Sequence, residues 1–282
     1  IPIAEGWSVL ADTPEGDKTF RTKSLVLATG GSTANVFRRL DYDRRLGINL
    51  KTSANPWGNN WDGADGDALD IGEKIGLKVT QGNGYQIVPF WGGRVLDYAG
   101  GDIYLNAEGE RFVDENLPWH KIVEVILEWP KTEFTVITDT QSEKGATLGV
   151  KLLSGIVKKA SSIREVAVGM GIPEEKLRKT LDEYNQSVEA GRDKFGKTVF
   201  TQRIEKPPFY WGKENIYVHT SLDGLKTDEE ARVLDKDGRV VLGLFAAGEV
   251  VVGVFGKDRI GGGSLANCLV MGRISGRNAA RS

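Results

Sequence analysis

A chain of 282 residues is long enough for one large domain or two modest ones with proper cores. Hydrophobic residues at 40% and charged residues at 27% exclude a disordered chain, and a net charge of -2 without a basic run speaks against nucleic-acid binding. The single cysteine, Cys268, excludes an internal disulfide, and His120 and His219 are too few to build a transition-metal site.

Trp7–Leu10 reads as a strand, Pro14–Glu15–Gly16–Asp17 as a turn, and Phe20 to Ala28 as the returning strand. The return ends in Ser24–Leu25–Val26–Leu27–Ala28–Thr29–Gly30–Gly31. A short apolar run closed by glycines suits a central strand of an α/β sheet, at whose C-terminal edge ligands bind. No strand followed by G-x-G-x-x-G precedes it. Gly66–Asp67–Ala68 opens a short helix through Ile75, stopped by Gly76. Short strands and turns follow from Gly84 to about Glu115, and Thr135–Asp139 reads as a further strand. Ser161 or Ser162 caps a helix over Ile163–Met170. Pro173 sits at the first position of the next helix, with Glu174 and Glu175 in its first turn. There Leu177, Leu181, Tyr184 and Val188 recur at spacings of four, three and four, which is one helical face, and Gly191 ends the helix. Ala231–Leu234 and Val240–Ala246 flank an Asp237–Gly238 turn. The apolar run from Val240 to Gly256 is shorter than the roughly 20 residues of a membrane-crossing helix. Glu249 and four glycines interrupt it, so it reads as a buried strand and a Gly-rich turn. A last helix runs from about Ser264 to Ala280. Its Gly272, Ser275, Gly276 and Ala279 form a small-residue face suited to tight packing.

Eight segments carry a likeness to known proteins. They are Val26–Leu27–Ala28–Thr29–Gly30–Gly31, Gly66–Asp67, Gly109–Glu110–Arg111–Phe112–Val113–Asp114–Glu115, Tyr184–Asn185–Gln186, Gly191–Arg192–Asp193, Pro207–Pro208–Phe209–Tyr210, Gly243–Leu244–Phe245–Ala246–Ala247–Gly248–Glu249 and Arg259–Ile260–Gly261–Gly262–Gly263–Ser264–Leu265. In this order they resemble the fumarate reductase/succinate dehydrogenase type of FAD-binding flavoprotein, which includes flavocytochrome c fumarate reductases, urocanate reductase and L-aspartate oxidase. The resemblance implies an α/β FAD-binding (Rossmann-like) domain, with its N-terminal part missing from these residues, interrupted by an α+β capping domain. Residues 1–84 and 218–282 would belong to the FAD domain and residues 85–217 to the capping, substrate-binding domain. It also implies FAD as cofactor of the whole protein and hydride transfer between the flavin and a C=C unit of a small carboxylate where the two domains meet. The electron source would be a donor protein or haem domain, and the location the cytoplasm or periplasm.

By the same resemblance, Thr29, Gly30, Gly31 and Asp67 lie against FAD. Gly30–Gly31 read alone is an ordinary strand-to-loop turn. Ala247 and Gly248 leave room for the cofactor, and the Glu249 carboxylate accepts hydrogen bonds from ribityl hydroxyls. Ser264 suits a helix N-cap. The resemblance adds that Gly263, Ser264 and Leu265 turn the positive helix end toward the flavin. Arg259 is either paired with Asp258 or Glu249, or it grips a substrate carboxylate through its planar fork. Arg111 and Glu115 read as a structural ion pair or turn cap, with a proton-relay role as the alternative.

Departures from the fumarate reductase pattern narrow the substrate. The donor-arginine position reads Trp119, with His120 next to it as the candidate acid. Val88 stands before Pro89 where a histidine is expected, and His219 is followed by Thr220 in place of a second histidine. Phe90, Trp91, Tyr98 and Trp119 make the pattern more apolar. The expectation is a reductase of an unsaturated acid other than fumarate, with Arg259, His120 and His219 as catalytic candidates. A dehydrogenase or oxidase, or an inactive binding module that kept the fold, is the alternative.

Overall fold

The structure is a computed structural model that describes residues 2–56, 58, 62–89 and 92–282. The chain divides into two compact units, one formed by residues 1–86 with 218–282, the other by residues 87–217.

In the first unit, Val240–Ala246 is the middle strand of a three-stranded sheet. On one side it pairs antiparallel with Arg232–Leu234, on the other parallel with Leu25–Leu27, in the register Leu244↔Leu25 to Ala246↔Leu27. The hairpin turns where expected. Gly238 takes φ +82°, and Asp235 accepts from the backbone N–H groups of Asp237 and Arg239. The core beneath this sheet gathers Trp7, Leu69, Leu77, Leu225, Val233, Leu244 and Val250. Helix Asp67–Lys74 packs here through Leu69 and Gly72, and a Cβ on Gly72 would touch Leu225 and Leu77. Gly66, at φ +82°, occupies the N-cap position of that helix.

Two expectations need correction in this unit. Phe20 to Ala28 is not one strand. Lys18–Thr22 pairs with Gly6–Ala11 in a separate antiparallel sheet, and the chain breaks step at Lys23–Ser24 before Leu25–Leu27 joins the parallel pair. Nor is Leu25–Leu27 central. Among the described residues it is an edge strand, and Val26 is exposed.

The second unit is built on an antiparallel sheet. Glu133–Thr138 pairs with Ile103–Leu105 on one side and with the first half of Phe209–Ser221 on the other, where Val157–Ala160 also joins. Two helices cover it. Ile163–Met170 is capped by Ser162, whose hydroxyl accepts from the Glu165 N–H, while the Glu165 carboxylate reaches back to Ser161. Glu174–Ala190 starts after Pro173, which takes the N-cap position and not the first helical one, and ends at Gly191 in the left-handed region. Its predicted face is realised: Leu177, Leu181 and Tyr184 are buried and Val188 packs beside them, against Ile103, Ile137, Phe209 and Trp211.

The Gly109–Glu115 segment supplies a buried charge network. Arg111 binds Glu115 with two hydrogen bonds of 2.8 Å and Asp193 at 2.8 Å, and Lys197 Nζ meets Glu115 at 2.8 Å. The Arg111 guanidinium also lies against the rings of Tyr184 and Phe195. Both side chains are buried, which supports the structural reading of this pair.

A second buried acid sits in Phe209–Ser221. Burial raises the Glu214 carboxyl to about 7, against the opposing pull of Lys151 and Arg94. An unfolded glutamate titrates near 4.3. Between these values the folded chain holds the extra proton, so stability falls as pH rises through about 4.5 to 7. Glu214→Gln is therefore expected to stabilise the protein by up to about 3 kcal/mol at pH 8 and to change it little at pH 4. Denaturant unfolding at the two pH values checks this; equal effects at both would contradict it.

Candidate active site

The end of the Leu25–Leu27 strand, the end of Phe209–Ser221 and the turn after Val240–Ala246 converge in the first unit. Ser221 ties them together. Its Oγ accepts from the Ser32 N–H at 3.1 Å and donates to Glu249 Oε1 at 3.0 Å, while the Ser221 N–H donates to the same oxygen at 2.8 Å. A Cβ on Gly31 would collide with Ser221 Oγ and the Glu249 carboxylate. Gly31 is thus needed for packing inside the protein, whereas Gly30, at φ +81°, opens onto free space. Thr29 is exposed beside it. Behind this loop, Ser32 Oγ meets Asp223 and the Tyr85 hydroxyl. Gly66 packs on Ser32, which brings exposed Asp67 close to the same loop.

Ala247 is buried, Gly248 takes φ +86°, and Glu249 turns its carboxyl into the structure. Burial pushes that carboxyl above the usual carboxylate range, with the Ser221 hydrogen bonds and Arg259 pulling it back.

The C-terminal helix Gly263–Ala279 begins close by. Its N-cap is Gly262 and not Ser264, which lies one turn position inside the helix; no side chain caps this end. Gly262 has no side chain to offer the first-turn N–H groups of Ser264 and Leu265. Farther in, Asn267 is buried and donates to the Gly248 carbonyl at 3.3 Å, while its Oδ1 has no partner among the described residues. The expected tight packing of the small-residue face holds for Ser275, which is buried, but not for its glycines among the described residues. A Cβ on Gly272 or Gly276 would meet nothing within 4 Å, and Leu265 and Leu269 on the same face are 67% exposed.

Arg259 sits in the loop before this helix, held by its backbone. Gln86, on Tyr85–Pro89, donates to the Arg259 carbonyl at 2.8 Å and to Asp258. Asp258 accepts the Arg259 N–H. The guanidinium itself reaches only the Ile260 carbonyl, at 3.3 Å; its Nε is buried without a partner and, among the described residues, it has no carboxylate. Neither Asp258 nor Glu249 pairs with it. His219 stands near enough for the arginine charge to act on it. Burial first, then Arg259, lowers its pKa below the ordinary histidine value. Ser53 Oγ lies 2.7 Å from His219 Nδ1.

The other candidates belong to the second unit. His120 and Trp119 are exposed at the start of helix Trp119–Leu127. Tyr98 packs against Val95, Leu96 and Val157, and its hydroxyl accepts from the Glu143 N–H. Phe90 and Trp91 lie outside the described residues, and Val88 is buried. Sequence reasoning missed Ser221, Gln86, Ser53 and Asn267. Nothing local marks them, because their partners are remote in the chain.

A flavin fits these groups chemically. An uncapped helix start, a carboxylate with one oxygen unused by Ser221, an orphaned buried amide oxygen and glycines open to space offer both donors and acceptors to a ring and a polyol. A small, partly open cavity of about 40 Å³ lies between Glu249, Phe255, Ser264 and Asn267.

Comparison with known proteins agrees. NADH:acrylate oxidoreductase of Vibrio harveyi is 31% identical over 272 residues, covering 91% of this chain and 26% of that protein. A Shewanella frigidimarina protein named Probable fumarate reductase Ifc3 is 32% identical over 271 residues, covering 92% of this chain and 44% of that protein. A flavocytochrome c3 fumarate reductase solved in an open conformation superposes with a TM-score of 0.79 at 29% identity, over 97% of this chain and 49% of that one. The chain thus spans about a quarter to a half of the length of these relatives. Residues 4–265 match the FAD binding domain family, and the chain belongs to that family.

Proposed function

We propose that this chain is the flavin- and substrate-facing portion of an FAD-dependent oxidoreductase that reduces the C=C bond of an unsaturated carboxylate other than fumarate. The Arg259 guanidinium carries the reading: a cation with its backbone clamped, its Nε buried and, among the described residues, no ion-pair carboxylate, near enough to His219 for its charge to act there. A planar fork so placed is suited to an anionic oxygen pair. Thr29, Gly30, Gly31, Asp67, Ala247, Gly248, Glu249, Gly263, Ser264 and Leu265 are read as the cofactor side. Bound FAD supplies the hydride for one carbon of the double bond. His120, in the other unit, is kept as the candidate acid because it adjoins Trp119, where the family pattern carries its donor arginine.

The histidines and the donor arginine expected to hold and protonate a second carboxylate are replaced by Val88, Thr220 and Trp119, which favours a substrate with one carboxylate and an apolar end. The name of the Vibrio relative, an acrylate reductase, agrees with that class. Residues 87–217 are read as the capping domain. We place the ADP-binding strand and phosphate loop in residues outside these 282. The open edge of Leu25–Leu27 and the exposed Leu265, Leu269, Gly272 and Gly276 stripe support this, since such a strand and its helix would cover both.

The test is oxidation of a reduced dye by the full-length, FAD-loaded protein, with fumarate, short-chain enoates and aryl enoates as acceptors. Monocarboxylate enoates should turn over and fumarate should trail them. Fumarate as the fastest acceptor would overturn the substrate class. Turnover only of saturated acids with an oxidised acceptor would favour the dehydrogenase reading.

A further inference from the structure

Resting on the carboxylate reading of Arg259 and His219, we propose that Ser53 is a positioning residue. Its hydroxyl donates to His219 Nδ1 and holds the imidazole with its proton on Nε2, a neutral donor beside the arginine.

The contact is built by the backbone, not by chance rotation of a surface serine. The Ser53 N–H donates to the Val218 carbonyl at 2.9 Å, the Val218 N–H donates to the Lys51 carbonyl at 3.0 Å, and Thr52 bridges Val218 in parallel fashion. Residues 51–53 therefore run alongside the strand that carries His219, and this fixes the hydroxyl 2.7 Å from Nδ1. Half-burial and the nearby guanidinium both disfavour an imidazolium, so the ring is neutral near pH 7. A neutral imidazole has one donor and one acceptor nitrogen, and the partner of one decides the role of the other. A serine hydroxyl can serve either nitrogen state. The Arg259 cation breaks the tie once an anion is present, because only the Nε2–H tautomer adds a second donor to that anion; an Nε2 lone pair would repel it. Arginine and histidine would then differ in kind: one carries charge at every accessible pH, the other contributes a directed hydrogen bond without adding charge.

The experiment uses full-length FAD-loaded protein with isotope-labelled histidine and a saturated carboxylate that binds in place of the enoate without turning over, the His219 ring being identified by its loss in His219→Gln. Two-bond proton–nitrogen correlations report which nitrogen carries the proton. The expected pattern is Nδ1 as acceptor and Nε2 protonated. Ser53→Ala should give a mixture of tautomers and raise the enoate KM about 3- to 10-fold, the size of one lost hydrogen bond, with kcat little changed. Ser53→Thr, which keeps the hydroxyl, should restore both. A wild-type ring protonated on Nδ1, or a pattern unmoved in Ser53→Ala, overturns the proposal. The ring is read without turnover. The expected tautomer in a protein that reduces no enoate would therefore support Ser53 and remove only the carboxylate reading.

Discussion

Glu115→Ala should cost the protein about 3–5 kcal/mol of stability, a large share of the roughly 5–15 kcal/mol that holds a typical domain folded. The Glu115 carboxylate is buried and accepts from Arg111 twice, from Lys197 and from the Tyr104 N–H. Arg111 keeps Asp193 after the change, but Lys197, with no exposed surface, loses its carboxylate in a place water does not reach. The penalty comes from that stranded charge more than from the lost attraction. A second substitution separates the two: Glu115→Ala with Lys197→Met removes the orphan and should recover part of the loss. Denaturant unfolding of the single and double variants measures both. A single variant within about 1 kcal/mol of the parent would mean that the network is solvated in solution.

How much of this was legible beforehand depends on how far apart the partners lie in the chain. Helix Glu174–Ala190 could be read from its periodic leucines and closing glycine, because helical contacts are three and four residues apart. The Asp237–Gly238 hairpin was legible for the same reason. The glycines at positions 30 and 31 looked equivalent in sequence, yet one opens to space and the other exists to admit Ser221 and Glu249, residues nearly two hundred positions or more away. Ser264 made a sound N-cap by composition, but the left-handed Gly262 moves the helix start ahead of it. Lys23–Ser24 carries no breaker residue, so the strand change there follows from pairing with two different sheets. The site followed the same division. Glu249 and Arg259 stand in glycine-rich segments that mark themselves. Gln86, Ser53 and Ser221 are ordinary polar residues whose roles come from partners 172, 166 and 28 positions distant.

Arg259→Lys is expected to lower kcat/KM for an enoate by about two orders of magnitude or more, since breaking a buried, hydrogen-bonded charge pair costs about 2–5 kcal/mol. The substitution keeps the charge and removes the fork. A lysine ammonium is a point donor that cannot match two carboxylate oxygens in one plane. The backbone of residue 259 should not move, because it is held by main-chain groups: its carbonyl by Gln86 and its N–H by Asp258, neither of which involves the guanidinium. The variant should therefore bind FAD with the parental absorption spectrum, and the loss should fall on the carboxylate. Substrates differing at the other end of the double bond sharpen the result. If Arg259 holds the single carboxylate, alkyl and aryl enoates should lose activity by the same factor, because the missing contact is common to both. An enone or nitroalkene, activated without a carboxylate, should lose little. Equal loss on carboxylate and non-carboxylate acceptors would assign Arg259 to the flavin side or to folding, and an Arg259→Lys protein with parental kinetics would show that the anchor lies elsewhere.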